Sequence, residues 1–305
     1  MQARLNEALS TIESVIYGKR SVIRLSVTCL LSGGHLLLED LPGMGKTTLA
    51  HTLAKVFGLQ YRRIQFTSDL LPGDVLGGPV FDTQTGAFQF HEGPVFTQLL
   101  LADEINRSTA KTQSALLEAM EEKQVSMDGQ TRPLPEPFFV IATQNPLSQY
   151  GTYPLPESQL DRFLMRLSMG YPDPETERKL LLHGDTRVDI DALPNIFDDA
   201  ALLEAHKAVK QITVSEELVA YVQRLAEATR DHEGILLGLS PRGALGLLEA
   251  SKAWAYLEGA SYVTPDHVQA VFEAVVAHRL MVRDAHTESS QLWAKRLLAS
   301  VDVFQ

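Results

Sequence analysis

The stretch from Leu36 to Ala50 constrains the fold of this chain more than any other. It begins with three leucines, continues through a turn rich in glycine and proline, and ends with apolar residues at helical spacing. This order predicts a strand, a phosphate-binding loop and a helix. The residues expected to bind the phosphate groups of a nucleotide are Pro42, Gly43, Met44, Gly45, Lys46, Thr47 and Thr48.

The predicted loop offers several kinds of phosphate contact. Gly43 and Gly45 let backbone N–H groups approach phosphate oxygens, and the following helix directs its positive end at them. Lys46 can reach the β- and γ-phosphates, and the Thr47 hydroxyl can bind Mg²⁺. The general pattern has a glycine where this chain has Asp40, whose short polar side chain also suits a tight turn. The alternative is a glycine-rich turn that precedes a lysine by chance.

Size and composition limit the remaining possibilities. A chain of 305 residues is long enough for two domains, a larger and a smaller one. Its 27 Lys and Arg against 38 Asp and Glu give a net charge of −11, which argues against a dedicated surface for nucleic acid without excluding a local basic patch. The single cysteine, Cys29, excludes an internal disulfide. No apolar run approaches the roughly 18 residues of a membrane span, so we expect a soluble cytoplasmic protein.

A break between two helical segments precedes the phosphate loop. The segments extend from Leu5 to Leu31 and are interrupted at Val15-Ile16-Tyr17-Gly18-Lys19. An apolar patch at this point can hold an adenine ring, and Gly18 would allow the backbone to approach it closely. A simple turn between helices is the alternative.

A second apolar strand ends in two acidic residues. Leu99 to Ala102 is a continuous apolar run, and Asp103 and Glu104 follow it directly. Such runs are typical of parallel sheets, in which ligands lie at the carboxyl ends of the strands. We expect Asp103 to hold Mg²⁺ or its water shell and Glu104 to polarise the water that attacks the γ-phosphate. Strand-end charges without a catalytic role are the alternative.

Three further residues are candidates for the same site. Asn145 ends an apolar strand, where its amide can position the attacking water; a strand-end turn formed by Asn-Pro is the alternative. Arg162 stands at the end of a short helix and is expected to reach outward. Arg242 follows the predicted cap Ser240, in a first helical turn where the dipole disfavours a cation. A nearby anion would explain this placement, so we expect a γ-phosphate contact; a surface arginine is the alternative.

The rest of the chain indicates two hairpins and two domains. One hairpin is predicted around Asp82 to Gly86 and another around Asp128-Gly129, and Ser108 is predicted to cap the helix between them. Beyond the acidic stretch 185–199 the pattern is helical without strands. We therefore predict an α/β nucleotide-binding core over residues 1–190, with a parallel sheet flanked by helices and two inserted hairpins. A smaller all-helical lid is predicted over residues 191–305.

Five motifs follow one another along the chain: LEDLPGMGKTT, LLLADEINR, ATQNP, LPESQLDRF and GLSPRGAL. In this order and spacing they resemble the motifs of the MoxR family of AAA+ ATPases, from Gly18 to about Arg279. An acidic residue at position 40 is familiar in that family, and the two hairpins resemble its helix-2 and presensor-1 inserts. The roles implied by the resemblance are Walker A for Lys46 and Thr47, Walker B for Asp103 and Glu104, sensor 1 for Asn145, arginine finger for Arg162 and sensor 2 for Arg242.

The resemblance implies an ATPase that uses ATP and Mg²⁺ and assembles into a ring, usually of six subunits, in which Arg162 completes the site of its neighbour. Family members act as chaperone-like remodelers, often with a von Willebrand factor A domain protein as partner, in the maturation of a client protein or metalloenzyme complex. Three alternatives stay open: a metal chelatase subunit, a DNA-acting motor and a nucleotide-gated scaffold. A hairpin with Lys123 and Arg132 but Asp128 at its tip disfavours the motor. A scaffold would need no catalytic Glu104.

Overall fold

The computed structural model describes residues 1–84, 86–146, 151–183, 189–283 and 288–303. The strands in this part of the chain are β1 (Leu36–Glu39), β2 (Tyr61–Gln65), β3 (Gly77–Asp82), β4 (Ala87–Glu92), β5 (Leu99–Asp103), β6 (Gln124–Met127), β7 (Gln130–Pro133), β8 (Phe139–Gln144), β9 (Met165–Leu167), β10 (Ile235–Leu237) and β11 (Met281–Val282). The α-helices are α1 (Gln2–Glu13), α2 (Arg20–Leu31), α3 (Lys46–Val56), α4 (Pro72–Leu76), α5 (Ala110–Glu122), α6 (Glu157–Leu160), α7 (Pro174–His183), α8 (Asp199–Lys210), α9 (Glu216–Asp231), α10 (Pro241–Leu257), α11 (Pro265–Val276) and α12 (Ser290–Ser300).

The described strands include a parallel sheet of five in the order β2-β5-β8-β1-β9, which confirms the predicted α/β core. The central strands β1, β5 and β8 are almost entirely buried, because packed side chains cover both faces of the sheet. The register pairs Leu38 of β1 with Thr143 of β8, and Ala102 of β5 with Ala142 of β8. The carboxyl ends of these three strands therefore lie side by side.

Two apolar clusters cover the two faces of the sheet. Leu36, Leu38 and Leu101 belong to one cluster, which also contains α1, α2, α3 and most of the C-terminal helices. Leu37 and Leu100 belong to the other cluster, under α5. Successive strand residues thus face opposite clusters, as the two-residue period of a strand requires. Each fully buried leucine stabilises the fold by roughly 1.5–3 kcal/mol.

The C-terminal helices α8 to α12 form the predicted lid, and they pack against α2 and β9. The prediction of a lid without strands is wrong, because β10 and β11 form a short antiparallel pair in which Ile235 lies opposite Val282. Strands of three and two residues are too short to show a period in the sequence. The boundary between residues 190 and 191 stays a prediction, and the N–H groups of Ile196 and Phe197 still donate to the Val56 carbonyl in the core.

Both predicted hairpins are present: β3 pairs with β4, and β6 pairs with β7. Asp128 and Gly129 both have positive φ, as the tight two-residue turn requires. The predicted cap Ser108 is wrong by one residue. Thr109 caps α5 by accepting from the Thr112 N–H, because Ser108 ends a preceding 3₁₀ turn and its hydroxyl donates to the Ile105 carbonyl at 3.2 Å.

Candidate nucleotide site

The loop between β1 and α3 has the backbone shape that phosphate binding needs. Gly43 and Gly45 have φ of 83° and 84°, a left-handed conformation that a residue with a Cβ rarely adopts. A Cβ placed on Gly43 would meet no other atom within 4 Å, so its φ, rather than crowding, accounts for the glycine. The loop ends at the N-terminus of α3, whose first backbone N–H groups are available to an anion.

Asp40 ties the start of this loop to the chain that follows β9. Its buried carboxylate accepts from the Ser168 hydroxyl at 2.7 Å and from the backbone N–H groups of Met169 and Gly170, the latter at 3.1 Å. Its backbone needs no glycine, because the non-glycine residues with positive φ in the described part of the chain lie elsewhere. Asp40 therefore replaces the glycine of the general pattern with a structural anchor.

Lys46 begins α3 and lies at the centre of the site. Its Nζ donates to the carbonyl oxygens of Asp40 and Leu41, at 2.6 and 3.2 Å. Burial lowers the pKa of the Lys46 ammonium, and nearby carboxylates, including those of Asp103 and Glu104, act in the opposite direction. The ammonium group is therefore held between the loop and the two acids, where it can face phosphate oxygens.

Asp103, the last residue of β5, has a partner on each carboxylate oxygen. The Thr143 hydroxyl donates to Oδ1 at 2.6 Å, and the Arg63 guanidinium donates to Oδ2 through Nη2 at 2.6 Å and Nε at 3.2 Å. Thr143 lies on β8 and Arg63 on β2, the two strands beside β5. The sheet order thus fixes the orientation of this carboxylate.

Glu104 follows in a left-handed conformation, with φ 56° and ψ 48°. Its N–H donates to the Thr143 hydroxyl oxygen at 2.9 Å, which stabilises this unusual backbone. Its Oε2 accepts from Gln65 and from Arg107, each at 2.8 Å. The conformation turns Glu104 out of the sheet and into the cleft beside Asp103.

A cleft of about 850 Å³ brings these residues together. The phosphate loop, Asp103, Glu104 and Asn145 line it, and so does an apolar wall that includes Val15, Ile16, Tyr17, Met169 and Pro172. An apolar wall beside a polar floor fits the base and the phosphates of a nucleotide. Thr47 and Asp103 also line the cleft, and hydroxyl and carboxylate oxygens are donors of the kind that Mg²⁺ prefers.

Gly18 lies behind the apolar wall with φ 69°. A Cβ at this position would come within 2.8 Å of Asp173 Oδ2 and 2.9 Å of Thr176 Oγ1. Close approach of the N-terminal segment to α7 is therefore possible because residue 18 is a glycine. Its effect on the cleft is indirect, since it positions the neighbouring Ile16 and Tyr17.

Arg162 and Arg242 do not line this cleft. Both pair with Glu121 at the end of α5, at 3.1 and 2.8 Å. The Ser240 hydroxyl, which caps α10, also donates to Asp161 at 3.2 Å, so the start of α10 is held beside the end of α6. Arg242 therefore lies outside the lining of the cleft of its own chain, and its contact with a γ-phosphate stays a prediction.

The sequence reasoning missed four residues that surround the two acids: Arg63, Gln65, Arg107 and Thr143. Their signal was present but weak. Arg63 and Gln65 are two residues apart on β2 and therefore lie on the same face of that strand. Thr143 is a buried polar residue in an otherwise apolar part of β8. Only the order of the strands shows that these side chains meet at Asp103 and Glu104.

No α-helix in the described ranges is long and apolar enough to cross a bilayer.

Residues 35–165 match the model of the ATPase family associated with various cellular activities (AAA), and residues 227–295 match the AAA lid domain. The chain is 40% identical to Chaperone MoxR1 of Mycobacterium tuberculosis, over 91% of this chain and 76% of the relative. It is 42% identical to the uncharacterized protein YeaC of Bacillus subtilis, over 98% and 94%, and 31% identical to Protein MoxR of Paracoccus denitrificans, over 93% and 90%.

A solved crystal structure from Cytophaga hutchinsonii, provisionally described as an ATPase, superposes with a TM-score of 0.90 at 36% identity. The alignment covers 100% of this chain and 96% of the solved one. The fold, the domain matches and the similarity to named relatives over nearly the whole chain agree with one another. The chain belongs to the MoxR family of AAA+ ATPases.

Proposed function

We propose that this protein is a chaperone-like remodeler that hydrolyses ATP to ADP and phosphate with the help of Mg²⁺. The observation that carries the proposal is the meeting of Lys46, Asp103 and Glu104 in one cleft of about 850 Å³. A cation on a phosphate loop, a metal ligand and a general base are the minimum for phosphoryl transfer to water.

In this proposal each residue has one task. Lys46 and the loop N–H groups bind the phosphates and offset the charge that develops on them. Thr47 and Asp103 would hold Mg²⁺, which would supply Lewis-acid stabilisation of the negative charge on the phosphate groups. Glu104 orients the attacking water and accepts its proton, and Asn145, at the same end of the sheet, helps to hold that water.

The placement of Arg162 and Arg242 supports assembly into a ring, for which we propose six subunits. Both guanidinium groups are partly exposed and lie together on Glu121, outside their own cleft. Two adjacent arginines at a subunit edge suit the γ-phosphate of a neighbouring subunit. Arg162 then acts as an arginine finger and Arg242 as a sensor, both in trans.

Mixing two inactive variants tests this arrangement. Arg162→Ala removes the proposed finger, and Glu104→Gln removes the proposed base. In a mixed ring, a complete site forms where an Arg162→Ala subunit, which keeps Glu104, has as its neighbour a Glu104→Gln subunit, which keeps Arg162. Random 1:1 mixing produces this arrangement at about one site in four. We expect ATP turnover to recover to that level, whereas a mixture that is no more active than its components contradicts action in trans.

We further propose that the protein works in the cytoplasm on a client protein, with a von Willebrand factor A domain protein as its partner. In the described part of the second hairpin, the Arg132 guanidinium lies 3.9 Å from the centre of the Phe90 ring, an arrangement that does not suit it to grip a nucleic acid backbone. Capture from a native lysate on Glu104→Gln loaded with ATP tests the proposal. Nuclease-resistant recovery of such a partner supports it, and nuclease-sensitive recovery or chelatase subunits contradict it.

A further inference from the structure

The Asp103 carboxylate, which the proposed function assigns to Mg²⁺, already has a cationic partner within the chain. Arg63 donates two N–H groups to the same oxygen, Oδ2 of Asp103, at 2.6 and 3.2 Å. The other oxygen, Oδ1, accepts from the Thr143 hydroxyl. An incoming metal ion therefore has to share Oδ1 with the Thr143 hydroxyl, or share Oδ2 with the guanidinium or displace the guanidinium from it.

The two partners differ in how freely they can move. The Asp103 side chain is 11% exposed and is fixed between β2 and β8, whereas the Arg63 side chain is 48% exposed on an edge strand. A long arginine side chain at an edge can turn toward solvent without leaving a buried charge unpaired. Exchange at this site therefore requires movement of Arg63 and leaves Asp103 in place.

The charges around Asp103 explain why a partner is needed there. Asp103 and Glu104 are adjacent acids at the floor of one cleft, and like charges in a partly buried site destabilise each other. Arg63 offsets this repulsion on Asp103, while Arg107 pairs with Glu104. A divalent cation at Asp103 performs the same role, and it repels the guanidinium because both are positive.

We propose that Arg63 is a positioning residue that acts as a resident counter-ion of Asp103 and competes with Mg²⁺ for its Oδ2 atom. Loading of Mg²⁺ with a nucleotide then requires Arg63 to turn away, and Mg²⁺ without a nucleotide binds weakly because it must displace the guanidinium without help from phosphate oxygens. This inference rests on the proposed function, in which Asp103 is a metal ligand.

Binding of a fluorescent ATP analogue to the full chain, titrated with free Mg²⁺, tests the inference without any measurement of turnover. Arg63→Gln should lower the Mg²⁺ concentration for half-maximal binding by about fivefold, the scale of one partly exposed ion pair. Arg63→Lys keeps the positive charge but replaces the planar guanidinium, which donates two N–H groups to Asp103, by a single ammonium group. Its Mg²⁺ concentration for half-maximal binding should lie between those of the wild type and Arg63→Gln. Arg62→Gln is the matched control, because Arg62 adjoins Arg63 on β2 but donates to the Gly93 carbonyl.

The outcomes separate the inference from the function on which it rests. If ATP binding by the wild type depends on Mg²⁺ but Arg63→Gln needs as much Mg²⁺ or more, the proposed role of Arg63 is overturned and the metal site is not. Binding by the wild type that ignores Mg²⁺, or an unaltered Mg²⁺ dependence in Asp103→Asn, overturns the metal site and the inference with it. Thermal unfolding of each variant confirms that the compared chains are folded.

Discussion

Replacement of Asp40 by glycine should destabilise the protein, although it would bring the phosphate loop closer to the general pattern. The carboxylate accepts three hydrogen bonds from the segment 168–170. That segment carries Met169 and Gly170, which line the nucleotide cleft. Asp40→Gly therefore removes the anchor that holds one wall of the cleft against the phosphate loop.

The magnitude follows from the surroundings of the three donors. A hydrogen bond to a charged group contributes about 1.5–3 kcal/mol, and a buried donor without a partner costs about 1–3 kcal/mol. The Ser168 hydroxyl is exposed and can bond to water after the change, whereas the Met169 N–H belongs to a buried residue and the Gly170 N–H to a half-buried one. Glycine also increases the conformational freedom of the unfolded chain. We expect Asp40→Gly to lower the free energy of unfolding by about 3 kcal/mol.

Urea denaturation followed by circular dichroism measures this change. Ser168→Ala is the matched control, because it removes only the exposed donor and should cost less than about 1 kcal/mol. Asp40→Asn keeps one acceptor oxygen and should fall between the two. A free energy of unfolding for Asp40→Gly within about 0.5 kcal/mol of the wild type would refute the reasoning, because surface substitutions without a structural role have effects of that size.

Three further predictions follow from the described contacts. Gly18→Val should weaken ATP binding by about tenfold in an equilibrium titration. The new Cβ would clash with Asp173 and Thr176, at a positive φ that valine rarely adopts, and would displace the apolar wall of the cleft. An unchanged affinity for ATP would contradict this role of Gly18. Arg279→Leu should lower the free energy of unfolding, measured by urea denaturation, by about 3–5 kcal/mol. The buried guanidinium pairs with Asp161 at 2.7 Å and also donates to the backbone carbonyls of Phe163 and Leu164. A loss below about 1 kcal/mol would show that this ion pair contributes little to stability. Burial lowers the pKa of His35 from 6.5 to about 4, so the folded state holds a neutral ring that the unfolded state protonates as the pH falls below about 6.5. The contribution of His35 to stability should therefore be complete above that pH and fall by about 2 kcal/mol between pH 7 and pH 5, so the total fall should be smaller by about that amount in His35→Gln in the same denaturation assay.

Local patterns in the sequence were sufficient to predict most of the fold. The apolar runs that end at Glu39, Asp103 and Gln144 predicted central strands, because strands covered on both faces must be apolar throughout. The Ser240-Pro241 pair predicted the start of α10, where Ser240 accepts from the Gly243 N–H at 2.9 Å. These features depend on neighbouring residues and therefore appear in a single sequence.

The partners of the predicted site residues could not be predicted in this way. Arg63 meets Asp103 because β2 lies beside β5, and strand order leaves no periodic signal in the sequence. Glu121 likewise joins Arg162 and Arg242, which lie on different elements far apart along the chain. The catalytic and binding roles of these residues stay predictions.

The most direct test of the central claim compares ATP turnover and ATP binding in Glu104→Gln and the wild type. Glu118→Gln on the exposed face of α5 is the matched control. We predict that Glu104→Gln lowers kcat by about a hundredfold or more while ATP binding changes less than about threefold, because the lost group acts on the attacking water and not on the bound phosphates. Turnover by Glu104→Gln equal to that of the wild type would contradict hydrolysis at this cleft.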